Sequence, residues 1–177
     1  LLALASGAAL AQNTNDLQLP SGGRSDWEIE QERRNPNEDE VRLPPYPKEG
    51  DLVEFSAGRR TSFRFFVDAA SLSVGRDNIV RYAVVARSPS GVANVFYEAM
   101  RCSAGQYKTY AQGSDGKWEA RRDSDWRTIE PRNTEHWRGI LRWDYFCPKR
   151  GTILSAREGL DALRRGGHPD MMAKPAY

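Results

Sequence analysis

Histidine and cysteine are scarce in this sequence, with two of each among 177 residues. His136 and His168 lie far apart, and neither stands in an H-x-x-x-H or H-E-x-x-H frame. Zinc needs three or four converging ligands, some of them closely spaced on one element, so the sequence offers no metal site of that kind. Asp123-Ser124-Asp125 is too short for a calcium loop. The paired glycines Gly22-Gly23 and Gly166-Gly167 open no strand-loop-helix unit, so no phosphate cradle or dinucleotide site is readable. There is no G-x-S-x-G nucleophile motif. No apolar run approaches the roughly 20 residues that a membrane-crossing helix requires. These gaps leave no catalytic residue, metal or cofactor to assign.

What is present begins with an apolar leader. Residues Leu1 to Ala11 are small, apolar and uncharged, and they close on Ala9-Leu10-Ala11 before Gln12. That pattern is the core of a secretory signal with a small-x-small cleavage site, and it predicts export from the cytosol. No cysteine follows the leader, so the sequence does not support a lipid-modified N-terminus. Outside the cytosol an even pair of cysteines reads as one disulfide, Cys102 to Cys147.

Charge is unevenly placed. Residues 12–51 hold ten acidic and five basic side chains, whereas the remainder holds 14 acidic and 21 basic. An acidic arm therefore precedes a basic body. The two can attract each other, or the body can favour anionic partners; simple solvation of an arginine-rich chain explains the same counts.

Along the chain, 1–11 reads as a signal remnant and 12–48 as an acidic, proline-containing arm. The domain is expected at 49–166, with a loose tail at 167–177. Leu43-Pro44-Pro45-Tyr46-Pro47 is stiff and extended because each proline fixes φ and biases its predecessor away from helix. It either links or lies across the domain with Tyr46 tucked in. Strands are expected at Leu52 to Phe55, Phe63 to Val67, Ser71 to Val74, Ile79 to Ser88, Val92 to Cys102, Gln106 to Gly113 and Lys117 to Arg121. Ile79 to Ser88 is the clearest: Val80, Tyr82, Val84 and Ala86 alternate onto one face, and Arg81 and Arg87 onto the other. Trp137, Ile140, Leu141 and Tyr145 then fall on one helical face. A last helix is marked by Ser155-x-x-Glu158 and closed by Gly166. The fold class is α+β: an antiparallel meander with two C-terminal helices packed on it and a mostly extended N-terminal arm.

Several stretches together resemble the cryptic neisserial protein-like family of proteobacterial envelope proteins. They are Phe65-Phe66-Val67-Asp68, Ser71-Leu72-Ser73-Val74-Gly75, Ile79-Val80-Arg81-Tyr82 and Asn94-Val95-Phe96-Tyr97-Glu98-Ala99-Met100-Arg101-Cys102. The series continues with Tyr110-Ala111-x-Gly113, Trp118, Trp126-Arg127-Thr128-Ile129-Glu130 and Asp144-Tyr145-Phe146-Cys147-Pro148. The likeness runs from about Leu43 to Arg165. It implies a periplasmic location and, for some members, a lipid anchor; it implies no catalytic residue.

Two functions stay open. One is a non-catalytic envelope domain that binds a partner protein or a glycan, with Arg101, Trp118, Trp126 and Arg127 as the contact residues. A tryptophan face stacks on a sugar ring, and the arginines suit an anionic group. The other is a small hydrolase using a carboxylate pair drawn from Asp68, Glu98, Asp123, Asp125 or Glu130. Tyr107-Lys108-Thr109-Tyr110 has the composition of a nucleic-acid contact, but an exported chain is not expected to meet nucleic acid.

Overall fold

The computed structural model describes residues 41–58, 61–121, 124–130 and 136–172. The leader and most of the arm lie outside the described residues. Eight strands form an antiparallel sheet: β1 (Leu52–Phe55), β2 (Arg64–Asp68), β3 (Ser73–Val74), β4 (Ile79–Arg87), β5 (Ala93–Arg101), β6 (Gln106–Ser114), β7 (Lys117–Ala120) and β8 (Arg127–Thr128). The order is β1-β2-β4-β5-β6-β7, with β3 also beside β4 and β8 also beside β6.

The turns follow from their residues. Ser88-Pro89-Ser90-Gly91 folds back with the Gly91 N–H donating to the Ser88 carbonyl at 2.9 Å, and Gly91 has φ 86°. Asp115 and Gly116 both have positive φ, 49° and 77°, between the paired Ser114 and Lys117. This is the two-residue hairpin turn that matches the twist of its strands, and Asp-Gly is its favoured sequence.

One sheet face carries the helices. α1 (His136–Ile140) runs directly into a π-helical turn, Leu141–Phe146, and a 3₁₀ turn follows at Pro148–Arg150. The apolar spacing predicts an α-helix through Tyr145; the chain instead widens, and the Cys147 N–H donates to the Arg142 carbonyl five residues back at 3.0 Å. Widening lets Phe146 join Trp137, Ile140, Leu141 and Tyr145 in the core. They meet Phe55, Phe65, Val67, Val80, Tyr82, Val84 and Met100 from the sheet. Each large apolar side chain withdrawn from water contributes about 1.5–3 kcal/mol.

α2 (Ala156–Arg165) starts at Ser155, whose hydroxyl accepts from the Glu158 N–H at 3.2 Å, and ends at Gly166 with φ 78°. Both ends are as the sequence predicts. A short α3 (Pro169–Met172) follows, with His168 buried at its start. Cys102, just after β5, is bonded to Cys147, just after the π turn, with Cα atoms 5.4 Å apart. The bond ties the helical layer to the sheet as expected. Among the described residues, no helix is long and apolar enough to cross a membrane.

Candidate binding surface

The two sheet faces differ in what covers them. On the helix side, Glu98 of β5 is fully buried and its carboxylate receives two hydrogen bonds from Arg138 of α1, at 2.9 and 2.5 Å. The Thr109 hydroxyl adds a third at 3.0 Å. The Arg138 guanidinium also lies 4.2 Å from the ring centres of Tyr107 and Trp137. Burial, then the Glu98 charge, push the Tyr82 phenol well above its ordinary pKa. A bulge makes this site possible. Tyr97 pairs with Ala111 but Glu98 pairs with Thr109, leaving Tyr110 as an extra residue in β6. The extra residue turns Thr109 toward Glu98 and sends Tyr110 to the other face, where it meets Tyr97 at 5.6 Å.

The outer face is a ladder of rows. Val85, Val95 and Gly113 form one row, and Ala83, Tyr97 and Ala111 the next. Arg81, Ala99 and Lys108 follow, then Ile79, Arg101 and Gln106. The first two rows are small or apolar, and the extended segment before the 3₁₀ turn Glu49–Asp51 lies in the trough they make. Tyr46 packs with Phe66, Val85, Val95 and Trp118; Val41 packs with Ala83, Tyr97 and Ala111. The Trp118 indole N–H donates to the Pro44 carbonyl at 2.8 Å. Gly113 is required here, because a Cβ would sit 2.7 Å from the Tyr46 hydroxyl oxygen.

The last two rows are cationic. Burial disfavours the Arg81 charge, but Asp77, with Tyr110, outweighs burial and holds the guanidinium firmly protonated. Its bond to Asp77 is 2.5 Å long. Arg101 lies over the Trp126 ring at 4.1 Å, and Lys108 reaches the Tyr110 and Trp126 rings at 5.4 and 5.8 Å.

The four residues singled out from sequence thus fall in three places. Arg101 and Trp126 stack together on the outer face. Trp118 lies on that face under the extended segment, its indole committed to Pro44. Arg127 pairs in register with Tyr107, whose ring faces the helices, so it leaves β8 on the other side from Trp126. There it lines a pocket of about 20 Å³ with Thr109, Arg121, Ser124 and Asp125. Arg81 and Lys108, not among those four, lie on the same outer face as Arg101 and Trp126. The alternation of β4 pointed to Arg81; Lys108 sits beside the bulge, which no sequence period signals.

Of the carboxylates considered for catalysis, Glu98 is tied to Arg138 in the core. Asp68 ends β2 beneath the turn that follows, and burial raises its carboxyl above the ordinary value. Asp125 and Glu130 are exposed, and Asp123 lies outside the described residues. A groove of about 610 Å³ lies elsewhere, between α2 and α3, and is lined by Glu158, Asp161, His168 and Asp170 among others. Burial works to raise the Glu158 carboxyl, but His168 at 2.9 Å and the Leu154 N–H at 2.6 Å outweigh it and hold it below the ordinary range. Among the described residues, no group of three or more histidine, cysteine or acidic side chains is placed to hold a metal ion.

The sequence profile of the CNP1-like family matches residues 31–164. No curated protein and no solved structure matches the chain.

Proposed function

The chain belongs to the CNP1-like family, and from that premise we propose that it works in the periplasm as a non-catalytic binding domain for an acidic envelope glycan. The observation that carries the reading is the half-buried Trp126 indole, with the buried Arg101 guanidinium stacked over its ring at 4.1 Å and the Lys108 amine 5.8 Å from the ring centre. An apolar ring face takes the C–H side of a sugar, and neighbouring cations take its carboxylate or phosphate. Export is supported by the leader and by the bonded, buried Cys102 and Cys147. In this reading the leader at 1–11 is removed, and 49–166 forms the body on which Val41, Tyr46 and His168 also pack.

The rival is a small carboxylate-dependent hydrolase, which would use the groove between α2 and α3. The downward shift of Glu158 suits a fixed hydrogen-bond acceptor there and is the wrong direction for a general acid at neutral pH.

Titration calorimetry of the full chain against oligogalacturonate, a neutral oligosaccharide and a polyglutamate peptide tests the proposal. Binding of the acidic sugar that weakens with salt and is lost in Trp126→Ala supports it. Equal binding of the peptide transfers the site to an acidic protein partner. Acidic-sugar binding unaffected by Trp126→Ala overturns the assignment of the site.

A further inference from the structure

We infer that the groove between α2 and α3 binds a short zwitterionic peptide, with its ammonium on the Glu158 carboxylate and its carboxylate on Arg165. The site lies in the helical layer, apart from Trp126, and does not depend on the glycan reading.

Three observations converge. The first is room. At about 610 Å³ the groove is the size of an ordinary small-ligand site, roughly 300–1,000 Å³, and Ala162 and Pro169 give it an apolar wall.

The second is a carboxylate fixed in advance. One Glu158 oxygen accepts the Leu154 N–H at 2.6 Å, and the other lies 2.9 Å from His168 Nε2. His168 Nδ1 accepts the Asp170 N–H at 3.2 Å, so the ring carries its hydrogen on Nε2 and donates it to Glu158. His168 is buried, whereas 31% of the Glu158 side chain stays exposed where it lines the groove. Each of its oxygens keeps a further lone pair. An incoming ammonium therefore meets an acceptor that needs no ordering.

The third is the placement of charge. Arg165 lines the same groove two turns along α2 from Glu158, about 10 Å on the helix axis. Arg165 is exposed, and among the described residues neither it nor Asp161 makes an ion pair. Three extended residues also span about 10 Å, so the two ends of a tripeptide match the two charges. Asp161 stands between them as an acceptor for peptide N–H groups. A polyanion brings no ammonium and meets Glu158, Asp161 and Asp170 instead, which separates this site from the outer face.

The test follows the amide resonances of Ala162, His168 and Asp170 in the full chain during titration with trialanine, N-acetyl-trialanine and trialanine amide. Trialanine should move all three, and acetylation, which removes the ammonium, should weaken binding on the order of tenfold. Equal binding of the acetylated peptide overturns the role of Glu158. The ligand is varied there because Glu158→Gln would also disturb the bond to His168. Arg165→Ala, at the exposed end of α2, should weaken trialanine and leave trialanine amide unchanged; an equal effect on the two overturns the role of Arg165. Resonances that trialanine does not move overturn the site itself. Shifts that follow protein concentration without peptide give the groove to a second copy of the chain and also overturn it.

Discussion

The helix-covered and arm-covered faces of the same sheet differ in how much of their charge reaches solvent. On the helix side, Glu98 and Arg138 are withdrawn from water and satisfied by each other and by Thr109. On the outer side, Arg101 and Lys108 lie against aromatic rings near the edge of an extended segment. Both faces hold buried charge, since Arg81 and Arg101 are buried on the outer one, but there Lys108 and Trp126 stay partly exposed. Under the proposed function, the first face is architecture and the second is the one that meets a partner.

The largest effect should come from the sealed face. Glu98→Leu leaves the Arg138 charge buried without its carboxylate, and should cost about 3–5 kcal/mol in urea unfolding. Adding Arg138→Leu should return much of that loss. A single variant as stable as the wild type would show that the helix face is wet and the contrast unreal. Cys102→Ser should be comparable, at about 4 kcal/mol for a loop of this length in the chain-entropy model, and should leave Cys147 open to alkylation once unfolded. Equal stability would detach the disulfide from the account.

The outer face should respond less. Gly113→Val forces the new side chain against Tyr46 and Val95, which should cost about 1–3 kcal/mol and expose the trough. Trp118→Phe keeps most of the packing but loses the bond to Pro44, for about 0.5–1.5 kcal/mol. Losses as large as those of Glu98→Leu would make the arm as structural as the helices.

The smallest effect is one of pH. Burial raises the Asp68 carboxyl above its ordinary 3.8, so the folded chain holds that proton longer than the unfolded one. Stability must then fall as the pH rises from the ordinary value through the raised one. Asp68→Asn removes this term, and its stability relative to the wild type should improve across that window. A difference independent of pH would contradict the raised value.

Much of the architecture was legible because strand alternation and turn chemistry are local. β1 falls on the expected residues, β4 shows the expected faces, and Ser155 and Gly166 bound α2. Tyr46 is tucked against the sheet, one of the two courses its prolines allowed. What stayed hidden depends on register. Glu98 reads as a lone acid in an apolar strand until the bulge at Tyr110 brings Thr109 opposite it. The two-residue β8 has too little pattern to be seen, yet it decides that Trp126 and Arg127 leave on opposite sides. The π turn is invisible for the same reason: the apolar spacing of α1 fits the narrower helix equally well.

Chemical-shift mapping of the full chain with oligogalacturonate tests the division of the two faces most directly. The account predicts that the shifts gather on the Trp126 indole, Lys108 and Arg101, leaving the residues around Glu98 and the groove at His168 unmoved. Shifts centred on Glu158, His168 and Asp170 instead would place the working site between the helices and contradict it.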